Sequence, residues 1–170
     1  MLRSWIKRNR TALARRRETT VIGLEIGRRA LARVELREHG DGWRQQDAAH
    51  QIIPVPLFTA KAEPTHQHAL TDALRQIAPA LAKRYVPVRV VVPDAAIVAA
   101  VFELDTLPSG RKAQSELAHW LMRKERFSAA DEPVCVCQPL GEDGGKHLLF
   151  VAAMDSSWHA CLLSSLLGAG

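Results

Sequence analysis

The sequence predicts a mixed α/β protein with a mixed sheet and two lobes. Two apolar, strand-like runs joined by a short turn lie within residues 19–36. A helix-spaced apolar stretch and then a β-branched run follow, which is the order of a strand–helix–strand crossover. A second strand–helix–strand–strand pattern begins near residue 97. These three observations together indicate an α/β core that carries a second, smaller unit.

The first two runs, Val21–Ile26 and Ala30–Leu36, have the composition of paired strands. Gly27 lies at the reversal between them, where we expect a positive φ and a β-hairpin. A second turn is predicted at Gly40–Gly42 because two glycines flank an aspartate there. A third strand is predicted from that turn to the residue before Pro54.

Residues Thr65–Arg84 are predicted to form an amphipathic helix, with Pro79 introducing a kink or dividing it into two pieces. The β-branched run Val86–Val92 that follows predicts a strand buried on both faces. Because a helical crossover joins this strand to the hairpin, we expect it to pair in parallel with the first strand. The apolar residues at helical spacing are Ala69, Ala73, Leu74, Ile77, Leu81 and Tyr85.

The second unit is predicted to contain one helix and three strands, followed by a closing helix. Asp155 is a suitable N-cap for that closing helix, which we expect to end at Gly168. The predicted elements are a strand over 98–104, a helix over Arg111–Phe127, strands over Pro133–Leu140 and Lys146–Met154 around a turn at Gly141–Gly145, and a helix over Trp158–Leu167.

Composition sets the broad class of the protein. At 170 residues the chain can bury one good core or two small lobes, but not a large multidomain enzyme. No run approaches the ~18 consecutive apolar residues that a membrane-spanning helix needs. Three cysteines are too few and too odd in number for a disulfide framework, which favours a reducing compartment.

The positive charge is concentrated in the first 18 residues, which hold seven of the 23 basic residues and one of the 18 acidic residues. The remainder of the chain is therefore close to neutral. This leader is interpreted either as an amphipathic segment lying on an anionic membrane surface or as a disordered basic tail. The neutral body argues against a nucleic-acid-binding protein. The membrane-surface candidates are Trp5, Lys7, Arg8, Arg10, Arg15, Arg16 and Arg17.

The start of the body resembles the opening of the actin-like ATPases, and in particular of the PilM-like proteins of type IV pilus assembly. Those proteins begin with a strand of the form I-G-[IL]-D-[IL]-G-x-x-x-[VL]-K-x-V-E-L, and this chain has I-G-L-E-I-G and then V-E-L at residues 22–27 and 34–36. It departs from the pattern at Glu25, which replaces Asp, at Arg28 and Arg29, which replace small hydroxyl residues, and at Ala32, which replaces Lys.

The resemblance extends to residue 168 through V-V-P-D-A-A-I, F-E-L-D-T-L-P and L-L-F-V-A-A-M-D. It implies the first half of a ribonuclease H/actin-like fold with an inserted strand–helix–strand–strand lobe, related also to GspL-like and FtsA-like proteins. The corresponding domains are a leader at 1–18, a core lobe at 19–95, an inserted lobe at 96–154, and a C-terminal helix at 155–170 that returns to the core lobe.

The resemblance also implies a function: a non-catalytic cytoplasmic scaffold, peripheral to the inner membrane, in a type IV pilus or related secretion machine. Its implied partner is the cytoplasmic tail of a PilN-like membrane protein, held between the two lobes. Trp120 and Phe127 are the large side chains that we expect to line that groove, unless they pack the inserted lobe's own core. Alternatives are an actin-like ATPase domain lacking its second half, and the cytoplasmic domain of a GspL-like type II secretion protein.

No catalytic constellation is expected, and ATP binding is doubtful because the phosphate loop looks degenerate. Its candidate residues are Glu25, Gly27, Arg28 and Arg29, in which bulky side chains replace the small residues that let backbone N–H groups approach phosphate. Cys135, Cys137, His147 and Cys161 are candidate zinc ligands, but small core residues are the better interpretation. His66 and His68 are expected on a surface loop.

Overall fold

Two separate sheets organise the chain. The computed structural model describes residues 19–40, 42–79, 86–125 and 132–170. The core sheet has the strand order β3-β2-β1-β4 and the inserted sheet has the order β5-β7-β6. The elements are β1 (Thr20–Ile26), β2 (Ala30–His39), β3 (Gly42–Ile52), α1 (Pro64–Ile77), β4 (Val88–Val91), β5 (Val98–Leu104), α2 (Arg111–Glu125), β6 (Pro133–Asp143), β7 (Lys146–Asp155) and α3 (Ser156–Ala169). The predicted mixed α/β class is confirmed.

The core sheet has the predicted topology. β1 pairs antiparallel with β2 and parallel with β4, so both the hairpin and the crossover are confirmed. Ile22, Leu24 and Ile26 alternate along β1 and are buried, because successive side chains of a strand point to opposite faces. The third strand was predicted from Trp43 to Ile53 and is observed one residue earlier at each end.

The turn between β1 and β2 differs from the prediction in its backbone. Gly27 is not among the glycines with positive φ. A Cβ at this position would instead lie 3.2 Å from the carbonyl oxygen of Ala30, which accepts a 2.8 Å hydrogen bond from the Gly27 N–H. Glycine is therefore favoured here because the backbone comes close to itself across the turn, and the predicted positive φ is wrong.

Helix α1 is shorter than predicted at its C-terminal end. It ends at Ile77, and its C-cap Ala78 has non-helical dihedral angles directly before Pro79. A proline restricts the residue before it and lacks the N–H that a helix interior needs, so this helix ends directly before Pro79. The predicted continuation through Leu81 to Tyr85 lies outside the described residues.

Strand β4 is exposed, which contradicts the predicted burial on both faces. Val90 and Val91 are 37% and 61% exposed. Among the described residues, β4 is an edge strand of the core sheet, and helices α1 and α3 pack on one side of that sheet only. A β-branched run is thus not sufficient to predict that both faces of a strand are covered.

The β6–β7 hairpin is longer than predicted. β6 extends through Asp143, and the turn consists of Gly144 and Gly145 alone, which have φ values of +55° and +79°. A two-residue turn with two positive φ values matches the twist of the flanking strands. Gly141, predicted as part of the turn, instead lies at an irregularity in the pairing with β7 and has a φ of +120°.

Helix α3 follows the inserted sheet in the chain but packs in the core lobe. Asp155 caps it as predicted, accepting hydrogen bonds from the backbone N–H groups of Ser157 and Trp158. Trp158 and Leu162 join the buried cluster formed by β1, β2 and α1. The helix continues one residue beyond its predicted stop, to Ala169.

Candidate partner-binding surface

One side of the inserted sheet is covered by α2. The buried side chains Phe102, Leu149 and Val151 point to this side and pack with Leu121 and Met122 of the helix. Strand alternation places the intervening residues on the opposite side. Most of the residues on that side are apolar. Of these residues, Met154, at the end next to the core lobe, is the one that belongs to a buried cluster.

Among the described residues, no helix covers the opposite side, called here the open face, which carries apolar residues on all three strands and is bordered by Glu103 and Gln138. Val101 and Val136 are 53% and 65% exposed, and Val134 is 37% exposed. The register aligns these residues across β7, because Val101 stands opposite Phe150, and Ala99 and Val136 both stand opposite Ala152. The open face is therefore defined by Ala99, Val101, Val134, Val136, Phe150 and Ala152.

The open face ends against the core lobe. Met154 follows Phe150 and Ala152 on the same side of β7 and stands opposite Val134. Its side chain belongs to the buried cluster of the core lobe, together with Trp158. The boundary between Met154 and the open face is thus a seam at which an exposed apolar sheet face meets the core lobe.

The core-lobe side of the seam is built by the loop between β3 and α1. The indole N–H of Trp158 donates a 2.9 Å hydrogen bond to the carbonyl of Thr59, and the Ser157 hydroxyl accepts one from the Ala62 N–H. The rings of Phe58 and His66 each lie 5.0 Å from the ring of Trp158. Phe58 has a φ of +56°, a strained conformation for a bulky residue that these packed neighbours maintain.

His66 lies inside this arrangement, so its predicted place on a surface loop is wrong. It is 8% exposed in the first turn of α1, where its Nδ1 accepts a 2.9 Å hydrogen bond from the Glu63 N–H. Pro64 at the first helical position starts the helix earlier than its apolar spacing suggested. His68 is exposed, as expected.

Trp120 does not pack in the core of the inserted lobe. It is 55% exposed, on the side of α2 away from Ala118 and Met122, and the ammonium group of Lys124 lies 4.9 Å from its ring centroid. Because α2 covers the other side of the sheet, the structure does not bring Trp120 to the open face. Phe127 and the leader residues lie outside the described residues.

The candidate phosphate-loop residues form the exposed turn between β1 and β2. The carbonyl groups of Arg28 and Arg29 accept hydrogen bonds of 2.8 and 2.9 Å from the backbone of Leu57 and Ile53. The side chains of Glu25, Arg28 and Arg29 are exposed, and in the described ranges none of the three forms an ion pair. Backbone hydrogen bonds thus hold the turn to the loop that follows β3, while its charged side chains face solvent.

The candidate zinc ligands are not brought together. Cys135 and Cys137 are half-buried beneath α2, and burial raises the pKa of the Cys135 thiol. Cys161 is buried in the core lobe, where burial also raises its pKa, and His147 pairs with Glu142 at 3.1 Å. Within the described ranges, no three His, Cys, Asp or Glu side chains are grouped closely enough to hold a metal ion.

The sequence interpretation missed the valines of the open face. Val134 and Val136 alternate with Cys135 and Cys137 along one strand, and this period-two pattern was visible. A unit with three strands and a single helix leaves one sheet face without a cover of its own. The shortage of helices relative to strands in this unit was the signal that could have identified the exposed apolar surface.

The fold is similar to two solved structures. The chain matches the PilM–PilN type IV pilus biogenesis complex with 24% identity and a TM-score of 0.65, over 88% of this chain and 44% of that one. It matches the cytoplasmic domain of EpsL, an inner-membrane component of the type II secretion system of Vibrio cholerae, with 10% identity and a TM-score of 0.57, over 89% of this chain and 54% of that one.

These likenesses confirm the predicted fold of PilM-like and GspL-like proteins, and the chain spans about half the length of the two structures. No protein-family model matches the sequence, and neither does any curated protein. In the part of the chain that the structure describes, no helix has the length and apolar character needed to cross a bilayer.

Proposed function

We propose that this protein is a non-catalytic actin-like adaptor that holds the cytoplasmic tail of a membrane protein against the open face at the seam. The observation that carries this proposal is the apolar face that runs from Val101 and Val136 to the core lobe at Met154. Exposed apolar faces of this kind commonly mark protein interaction sites. An extended tail can lay alternate apolar side chains on such a face, next to the wall formed by the β3–α1 loop.

The fold neighbours support the class of machine and of partner. One is a complex of PilM with PilN in type IV pilus biogenesis, and the other is a cytoplasmic domain from a type II secretion system. A PilN-like tail is the corresponding partner for this chain, in a pilus or related secretion machine on the cytoplasmic side of the inner membrane. Trp120 and Phe127, predicted to line the groove, are the second place to test for contact with this tail.

The experiment is a calorimetric titration with a synthetic peptide that carries the cytoplasmic tail of the PilN-like protein from the same genome. Val136→Lys places a charge in the open face, and Val91→Lys is a matched control, since Val91 is 61% exposed on the core sheet. We expect Val136→Lys to weaken binding at least about tenfold, because burying an unpaired ammonium group is costly. Equal binding by both variants would exclude the open face as the site.

An ATP-dependent function is the alternative that we reject in this proposal. The β1–β2 turn presents Arg28 and Arg29 where small residues would let a backbone cradle approach phosphate. We expect no measurable ATP hydrolysis and, in calorimetry with ATP and Mg²⁺, binding no tighter than about millimolar, roughly −4 kcal/mol. Saturable micromolar binding would contradict the proposal for this turn.

Peripheral membrane association is proposed through the basic leader. Each cation near an anionic surface contributes about 1 kcal/mol of attraction, which fades at high salt. Removal of residues 1–18 is expected to abolish cosedimentation with anionic vesicles while the fold of the body stays intact, as its thermal melting temperature measures. Equal binding to neutral vesicles would refute an electrostatic origin.

A further inference from the structure

The strand topology brings three parts of the chain to one end of the core sheet. β1 begins there at Thr20, and β4 begins at the same end because it runs parallel to β1. The tip of the β2–β3 hairpin also lies there, since Thr20 stands opposite Arg37 and Arg37 opposite Arg44. This end, formed by the start of β1, the start of β4 and the tip of the β2–β3 hairpin, is called the leader end.

The basic leader joins the body at this end. Residue 19 follows the leader, and the Thr19 carbonyl accepts a 2.9 Å hydrogen bond from the Glu38 N–H in the hairpin. The hairpin itself balances Arg37 and Arg44 with Glu38 and Asp41 in its sequence. The hairpin thus adds little net charge at the leader end, Arg89 adds one cation at the start of β4, and the leader carries seven basic residues against one acidic residue.

The hairpin presents an exposed aromatic ring. Trp43 is 52% exposed and belongs to neither buried cluster. Arg44 beside it is exposed and, among the residues that the structure describes, forms no ion pair. Tryptophan is enriched where an amphipathic ring meets the lipid headgroup layer, and arginine is attracted to anionic headgroups.

We propose that the leader end sits on an anionic lipid surface, with Trp43 and Arg44 as contacts beside the leader. This inference rests on the proposed membrane-peripheral placement, but not on the binding of a tail. A lipid surface is the partner that fits this end, because the leader supplies positive charge that an anionic surface attracts and Trp43 supplies a ring that partitions into the headgroup layer.

This placement also puts the seam at the end of the core sheet that lies away from the lipid surface. The β1–β2 turn lies at the opposite end of the core sheet, where it is fastened to the loop that contacts α3. β1 has seven residues, so the two ends are separated by roughly 23 Å at ~3.3 Å per residue. A membrane protein's tail would therefore have to extend at least about seven residues from the lipid surface to reach the seam.

The test measures cosedimentation of the full chain with vesicles of phosphatidylglycerol and phosphatidylcholine, and with vesicles of phosphatidylcholine alone. Trp43→Ala is compared with Trp120→Ala, because the two rings are 52% and 55% exposed. Arg44→Glu is compared with Arg28→Glu, because Arg28 is an exposed arginine at the opposite end of the sheet. Thermal melting checks that all four variants are folded.

We expect Arg44→Glu to lower the partition coefficient on anionic vesicles by at least about fivefold, because it removes one basic contact and adds a negative charge. Trp43→Ala should lower it by about fivefold through loss of the ring that partitions into the headgroup layer. The two control variants should change it by less than about twofold. A similar loss in all four variants, or no loss at Trp43 and Arg44, would overturn the proposed orientation. Loss of binding on removal of residues 1–18, with no effect at Trp43 or Arg44, would refute this inference and leave the leader's proposed role intact.

Discussion

The two lobes cover their sheets to very different extents. In the core lobe, helices α1 and α3 pack on the same side of the sheet, and 16 of the described residues form its buried cluster. In the inserted lobe, as far as the structure describes it, α2 is the helix whose side chains pack in the buried cluster on the sheet, and that cluster contains seven residues. Among the described residues, fewer buried side chains thus hold the inserted lobe together, and its open face is the one that reaches the seam.

The difference between the lobes follows from the course of the chain. α3 comes directly after β7, but its buried residues Trp158 and Leu162 complete the cluster of the core lobe. The core lobe therefore depends on chain that has first passed through the inserted sheet. The buried cluster of the core lobe also includes Met154 of β7, whereas the buried cluster of the inserted lobe contains no residue of the core lobe. We therefore infer that damage to the core lobe reaches both lobes, whereas damage to the inserted cluster stays local.

The largest effect is expected from Trp158→Ala. This substitution removes a ring that is 3% exposed, its contacts with Phe58 and His66, and its hydrogen bond to Thr59, so it should lower the free energy of unfolding by about 3–5 kcal/mol. Urea denaturation followed by circular dichroism measures the loss. Trp158→Phe is the control, because it retains the ring packing and loses the hydrogen bond, at about 1 kcal/mol. Equal losses would show that the packing is not the main contribution.

A core substitution in each lobe tests whether damage to the inserted lobe remains local. Leu149→Ala and Leu74→Ala each remove a fully buried leucine and should cost about 2–5 kcal/mol. Hydrogen exchange should show faster exchange in β5–β7 alone for Leu149→Ala, and in both sheets for Leu74→Ala. Faster exchange in β1 and β2 after Leu149→Ala would mean that the lobes open as one unit.

A smaller effect is expected at the cap that joins the lobes. Asp155→Ala removes the acceptor for the N–H groups of Ser157 and Trp158, so unfolding free energy should fall by about 1 kcal/mol. Asp155→Asn is the control, since an asparagine oxygen can accept the same bonds and should retain most of the stability. Thermal melts of the two variants measure the difference, and a larger loss for Asn than for Ala would contradict a capping role.

The smallest effect concerns the thiols. Burial raises the pKa of Cys135 in the inserted lobe and of Cys161 in the core lobe, so less thiolate is present in the folded protein near pH 8. Both thiols should react more slowly with a disulfide reagent in buffer than in urea. Since the folded pKa is raised, stability should decline as pH rises past the ordinary thiol pKa, where the unfolded chain ionises first. Equal labelling rates in buffer and in urea would contradict this.

The strand topology could be predicted from the sequence because it depends on local patterns. Alternation in β1 and the Asp155 cap each require only neighbouring residues, and the helical crossover before β4 leads to parallel pairing with β1 by a general rule of chain connection. Their pairing and capping were therefore predicted correctly. The fold followed from their order, together with the I-G-L-E-I-G motif at residues 22–27.

Burial could not be predicted in the same way, because it depends on which faces other elements cover. The valines of β4 were expected in a core, but Val91 is 61% exposed, whereas His66 was expected at the surface and is 8% exposed. Trp120 shows the same limit, since an aromatic residue at helical spacing usually faces the core and this one does not. The open face depends on the same property, because in the described part of the chain a helix covers one side of the inserted sheet and none covers the other.

The most direct test of the proposed function is methyl NMR of the full chain titrated with the cytoplasmic tail of the PilN-like protein from the same genome. We expect the shifted methyl groups to cluster at Val101, Val134, Val136 and Met154, along the open face and at the seam. Shifts confined to the leader or to the side of α2 near Trp120, or no shifts at millimolar peptide, would contradict it.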